Sequence, residues 1–194
     1  MVIDYFAIVE QRLSRERFLH TLQVAESAKL LAFKYGADED KAYLAGLLHD
    51  IMKDASKEEQ LYIIKKTGII LTCYEKANPK LWHSIAGAAY LREELGIKDE
   101  DVFNAVCYHT TGRANMSLLE KVIYIADYIS ADRTYNGVQE MRRLAGDSLE
   151  VAMLYALEFS IKELVETQQV IHLNSVDCYN ELLVKIKQQK QPKS

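Results

Sequence analysis

The sequence predicts an all-α protein, a single bundle of helices, and three observations carry that reading. Apolar residues recur at helical spacing along nearly the whole chain, and no run alternates as a half-buried strand would. Cap residues precede the apolar runs at regular intervals. Only two prolines and eight glycines occur in 194 residues, so little of the backbone is forced into turns.

Taken in order, Ser14 caps a helix over 15–35, and Gly36 ends it. Asp38 or Asp40 opens the next, through AYLAGLLHDIM. Ser56 with Glu59 three residues on has the capping-box form and starts a helix reaching Lys66, with Gly68 at the break. Asn78 and Pro79 read as a cap followed by proline at the first helical position, and Gly96 closes that helix. Asp99 begins one that ends near His109, and TTGR after it reads as a loop. Ser117 caps a strongly apolar helix over 118–129. The polar stretch 130–146, with two glycines and three arginines, is expected to be a functional loop. Asp147 and Ser148 precede a long helix to about Val165, and Asn174 or Ser175 caps the last, toward Lys187. Residues 1–188 form one domain in this reading, and 189–194 a frayed polar tail.

A formal net charge of −4 argues against coating a nucleic-acid polymer, which needs a basic surface, but leaves room for a small anionic substrate. Cys73, Cys107 and Cys178 are scattered and odd in number, so neither a zinc–thiolate site nor a disulfide framework is suggested. No apolar run approaches the roughly 20 residues that span a bilayer, and the N-terminus lacks a signal peptide's apolar stretch. A reduced cytoplasmic setting without membrane attachment is expected. A homodimer is left open.

The informative residues break the helical pattern. His20 shares a row with Val24, Ser27 and Leu31. His49 and Asp50 follow AGLL in apolar surroundings, and Asp127 lies four residues after Ile123 and eight after Leu119. A carboxylate among isoleucines costs several kcal/mol (order of magnitude) unless a cation meets it. Taken singly, His20 reads as a core histidine, His83 as a residue of a helix's first turn, and His109 as a partner of a helix dipole. Asp127 reads as the partner of Arg133 or Lys121. Together they make an imidazole–carboxylate set without thiolates, which suits zinc, manganese or non-haem iron.

This ordered set resembles the HD superfamily of metal-dependent phosphohydrolases. LLHDIMKD (47–54) looks like its signature. HTTGR (109–113), KVIYIADYISADR (121–133) and NGVQEMR (136–142) are similar to its small bacterial YqeK branch, from Arg17 to Tyr179. Members of that branch cleave diadenosine tetraphosphate symmetrically to two ADP, with iron as the metal. The resemblance implies His20, His49, Asp50 and Asp127 as core ligands of one or two ions, iron or else manganese or another divalent metal. It places His83 and His109 at a second ion, the phosphates, or both. One departure is SADRTY, which is more polar than the proline-containing version of many relatives.

On this footing hydrolysis proceeds by a metal-activated hydroxide, with Asp50 reaching both ions. Lys53 meets a phosphate oxygen or is a solvated lysine, and Asp54 reads first as a surface acid at a helix end and otherwise orients a water or protonates the leaving phosphate. Arg133 binds two phosphate oxygens. Thr110, Thr111 and Gly112 either bring backbone N–H groups to a phosphate or form a plain turn. Thr167 and His172, in or near a stretch that resembles the branch's base-contacting segment, touch the nucleoside, while Trp82 is packing. An ADP or GDP-like product is expected to co-purify. Two rivals remain: another HD-type nucleotidase or alarmone hydrolase, and a non-catalytic nucleotide sensor.

Overall fold

A computed structural model describes residues 3–190. Its α-helices are α1 (Tyr5–Arg12), α2 (Arg15–Tyr35), α3 (Glu39–Leu48), α4 (Lys57–Lys66), α5 (Cys73–Ala77) and α6 (Trp82–Glu93). They continue with α7 (Glu100–Tyr108), α8 (Leu118–Ile129), α9 (Val138–Asp147), α10 (Leu149–Glu166) and α11 (Leu173–Lys190). A 3₁₀ turn, Pro79–Leu81, leads into α6, and no strand occurs among the described residues.

The caps explain most boundaries. Asp38 accepts from Lys41 N–H and Asp99 from Asp101 and Val102 N–H. Ser117 and Glu120 form a reciprocal box at the start of α8, satisfying two N–H groups that a helix start otherwise leaves open. Ser14 caps by position only, since its side chain makes no cap bond. Gly36 ends α2 in the left-handed region, at φ 78°.

α8 is the axle of the fold. Leu119, Val122, Ile123, Tyr124, Ile125 and Ala126 are all buried, so this helix is apolar almost all round. It packs against α2, α3, α7, α9 and α10. Fully burying one such side chain contributes about 1.5–3 kcal/mol. α2 lies on α3 across Gly46, where an added Cβ would stand 2.8 Å from Ala25 Cα. That close crossing brings the rows carrying His20 and His49 together.

Five features differ from the expectations above. α1 and α5 were not foreseen, although Asp4 caps the first and Thr72 with Glu75 boxes the second. α3 ends at Leu48, so His49 and Asp50 open a run of tight turns over 49–54 and are not within a helix. The expected loop 130–146 contains α9, whose Val138, Met141 and Ala145 turn one face to the core. α11 is opened by His172, whose ring Nδ1 accepts Asn174 N–H at 3.1 Å. It runs on to Lys190, past the expected end near Lys187, and 191–194 of the expected tail lie outside the described residues. No described helix is long and apolar enough to cross a membrane.

Candidate metal centre and its two cavities

Three imidazoles are held by one device. Nδ1 of His49 lies 2.7 Å from the Gly46 carbonyl, Nδ1 of His83 2.7 Å from that of Lys80, and Nδ1 of His109 2.7 Å from that of Val106. A carbonyl only accepts, so each Nδ1 carries the proton and each Nε2 presents a lone pair. Those lone pairs converge. Nε2 of His83 and His109 are 3.3 Å apart, and the ring centroids of His49 and His109 are 5.0 Å apart. Two facing acceptors repel unless a proton or an ion lies between them.

Asp50 stands in their midst. Its Oδ1 is 3.1 Å from His83 Nε2 and 3.4 Å from His109 Nε2, and its Oδ2 is 3.7 Å from His49 Nε2. None of these approaches satisfies Asp50 Oδ1 as a hydrogen bond, and His49 Nε2 is likewise buried without a partner. Burial alone would raise the Asp50 pKa, but the neighbouring histidines overcome it and hold the carboxyl ionised, well below its usual range. Burial pushes His49 down to about 4, leaving that ring neutral near pH 7. Burial also lowers His83.

His20 and Asp127 complete the set from α2 and α8. His20 Nε2 is 3.0 Å from Asp127 Oδ1, and its Nδ1 is 2.7 Å from Asp132 Oδ2. Burial disfavours the His20 cation, yet the bond and charge of Asp127 more than offset this and raise its pKa. Burial would raise Asp127 too, but His20, His49 and Arg133 hold it below the ordinary range. Asp132 was missed by the sequence reading, although it lies in the polar stretch singled out there. It fixes the His20 ring as a carboxylate behind a ligand commonly does.

These six residues fit a divalent metal. Ligand atoms of His20, His49 and Asp50 all lie within 4.8 Å of one another, as do those of His49, His109 and Asp127 and those of Asp50, His83 and His109. A cation would satisfy the orphaned His49 Nε2 and Asp50 Oδ1 together. The overlap of the groups allows two ions sharing Asp50. The geometry also separates two histidines that the sequence treated alike: His83 belongs to one group and His109 to two. His109→Ala should therefore lose more bound metal than His83→Ala, measured by elemental analysis of the purified variants. Equal losses would argue against two overlapping positions.

Comparison with known proteins now adds to the geometry. The HD-domain family model matches residues 17–132. This chain belongs to the HD-domain family. It is 39% identical over 180 residues to a symmetrical bis(5'-nucleosyl)-tetraphosphatase of Bacillus subtilis (strain 168), covering 93% of this chain and 96% of that protein. It is 41% identical over 182 residues to the protein of that name from Halalkalibacterium halodurans, with 93% and 96% covered. It also superposes on the crystal structure of a predicted HD superfamily hydrolase involved in NAD metabolism from Clostridium acetobutylicum. The TM-score is 0.91 at 38% identity, covering 95% of this chain and 100% of the other.

Around this HD centre two cavities open. A trough of about 1060 Å³ contains Arg17, His20, Asp50, Lys53, Asp54, Asp127, Asp132 and Arg133. A smaller cavity of about 400 Å³ is walled by Thr110, Tyr128, Tyr135, Phe159 and Glu163 and reaches His109, Asp127 and Arg133. Tyr135 and Phe159 lie with ring centroids 5.7 Å apart and planes 35° apart. The sequence reading missed this aromatic wall, because nothing in the spacing links residues 24 apart on different elements.

Lys53 reaches the cluster, its Nζ 3.0 Å from His83 Nε2 and 3.4 Å from Asp50 Oδ1. Arg133 donates from Nε to the Asp127 carbonyl at 2.9 Å and pairs through Nη2 with the Asp127 carboxylate. The rival ion pair is thus present, on a residue that also faces both cavities. Thr110 lines the smaller cavity, and its hydroxyl lies 3.2 Å from that of Ser84. Gly112 N–H is committed to the Tyr108 carbonyl at 2.8 Å, so it does not serve a phosphate.

Three residues of the expected site have other partners in the structure. Asp54 takes Ser14 N–H at 2.8 Å and Arg17 Nε at 2.8 Å. Burial would raise its pKa, but these partners lower it, which disfavours it as a proton donor. Thr167 closes α10, its hydroxyl on the Glu163 carbonyl at 2.7 Å, exposed and outside both cavities. His172 borders a third cavity with Thr72, Glu75 and Asn174, its Nε2 3.4 Å from Glu75 Oε1, and is not brought to the metal residues. Trp82 is packing as expected, its indole N–H on the Glu75 carbonyl.

Proposed function

We propose that this HD-domain protein hydrolyses diadenosine tetraphosphate at its central phosphoanhydride bridge, giving two ADP. The observation that carries the reading is the place of Asp127 and Arg133 between two cavities, each within or near the roughly 300–1,000 Å³ of ligand sites. A substrate with two identical halves then lies with its middle over the metal ligands. The names of the bacterial relatives support the same substrate.

A divalent ion bound by the six residues supplies Lewis-acid polarisation of the phosphoryl group and an acidified water. The chain does the rest. Asp50, ionised and shared between ligand groups, offsets ion charge on both sides. Lys53 and Arg133 bring positive charge to non-bridging oxygens, where charge accumulates. Tyr135 and Phe159 offer an aromatic wall for one base, and Glu163 an acceptor for its exocyclic amine. The burial of His49, His83, His109 and Asp50 keeps these groups out of bulk water, which strengthens their electrostatic interactions.

Iron is the metal this reading takes from the resemblance to the YqeK branch; the imidazole and carboxylate donors suit it, and manganese or zinc as well. ADP bound in the aromatic cavity would co-purify. The three cysteines are free, which fits the reducing cytoplasm. Incubation with diadenosine tetraphosphate and iron(II) or manganese(II), followed by chromatography, should yield ADP alone. AMP with ATP would overturn the reading.

A further inference from the structure

If the aromatic cavity takes one half of the substrate, the other half must lie in the trough. The trough's walls differ in kind from the aromatic cavity. Its floor is the exposed face of the first turns of α2, with Glu16, Leu19 and Gln23 about one turn apart. Leu19 is 44% exposed.

Arg17 is the informative residue. Asp54 grips it through Nε at 2.8 Å, and Asp54 is itself pinned by Ser14 N–H, so the guanidinium has a fixed base. Among the described residues its two terminal nitrogens make no hydrogen bond, and its side chain is 43% exposed in the trough. A guanidinium held from one edge with its other edge open is suited to two oxygens of a phosphate.

The acids of the trough are mostly engaged. Asp50 and Asp127 belong to the metal set, Asp54 holds Arg17, and Asp132 holds His20. Glu16 makes no ion pair among the described residues and, like Gln23, can accept from a ribose hydroxyl or a base amine.

We propose that the trough binds the second nucleoside diphosphate half of the substrate, with Arg17 as a phosphate ligand and Asp54 as the residue that positions it. This rests on the dinucleotide reading above. The leaving half is then held by charge and the retained half by an aromatic wall. Arg17 should matter for the dinucleotide and for adenosine 5'-tetraphosphate, which keeps the distal phosphates and is split by water to ADP and pyrophosphate. It should not matter for ADP, which fills the aromatic cavity.

The test uses the metal-loaded full chain and its variants Arg17→Gln, Arg17→Lys and Asp54→Asn. In Arg17→Gln, KM for both tetraphosphates should rise about tenfold or more, as for a lost charged hydrogen bond. Its kcat, the inhibition constant of ADP and the thermal midpoint should stay near those of the parent. Arg17→Lys should restore part of the KM, and Asp54→Asn should raise KM with little change in kcat. A KM within about twofold of the parent in Arg17→Gln, or an equal weakening of ADP, would overturn the assignment. So would an effect on the dinucleotide with none on adenosine tetraphosphate. Failure of the parent protein to release two ADP would instead sink the underlying reading, and the two failures are separate.

Discussion

Replacing Asp50 by Ala should strip the bound metal and lower kcat/KM by three orders of magnitude or more. Losing a mere outer partner of a ligand already costs about 10–100-fold. Asp50 is the one carboxylate in reach of His49, His83 and His109 together, and its charge is what makes their lone pairs a cation site. The rings themselves stay anchored to backbone carbonyls, so the variant should remain folded. Elemental analysis alongside a thermal melt separates the two effects. Unchanged metal content in a folded Asp50→Ala protein would refute Asp50 as a ligand.

Gly46→Ala should destabilise the fold and loosen the metal site at once. The new Cβ would lie 2.8 Å from Ala25 Cα and 3.1 Å from Ala25 N, both backbone atoms that no rotamer change can move. α2 and α3 must separate, at a cost of about 1–3 kcal/mol. The intrinsic helix preference for alanine over glycine, about 1 kcal/mol, works the other way and is outweighed. Because the Gly46 carbonyl also holds His49 Nδ1, the same displacement moves His49 away from His20, whose ring centroid is 5.6 Å from it. The thermal midpoint should fall by several degrees, by about 2–4 °C for each kcal/mol. Metal titration should show weaker binding. A midpoint equal to or above that of the parent would mean that this crossing is not close packed.

Part of the site was legible because several of its residues offend against their local pattern, whereas His83 and His109 singly read as ordinary helix-end residues. His49, Asp50 and Asp127 sit where apolar residues belong, and no arrangement of a bundle could bury them without a cation. Boundaries set by side-chain chemistry were legible too, as Ser117 and Glu120 show for α8. Other features depended on distant parts of the chain. The pairing of Asp132 with His20 spans 112 residues. Arg17 reads as an ordinary helix cation until the turn carrying Asp54 folds back against it. α9 was hidden by its polarity: Gln139, Glu140, Arg142, Arg143 and Asp147 dominate its outward side, and only Val138, Met141 and Ala145 betray the buried stripe. The setting of His172 was hidden for a related reason, since capping α11 places that ring beside Glu75 in a third cavity.

The three histidines that borrow a carbonyl three residues behind them have a mechanical consequence. Gly46–His49, Lys80–His83 and Val106–His109 are short self-contained brackets, each fixing its own ring without help from the rest of the chain. The nitrogen side of the centre is therefore stiff. Asp50 has no such bracket and can turn about its own side-chain bonds, whereas Asp127 is tied to His20 and Arg133. Ions of different radius are then accommodated by rotation of Asp50, the one compliant ligand in an otherwise rigid jaw.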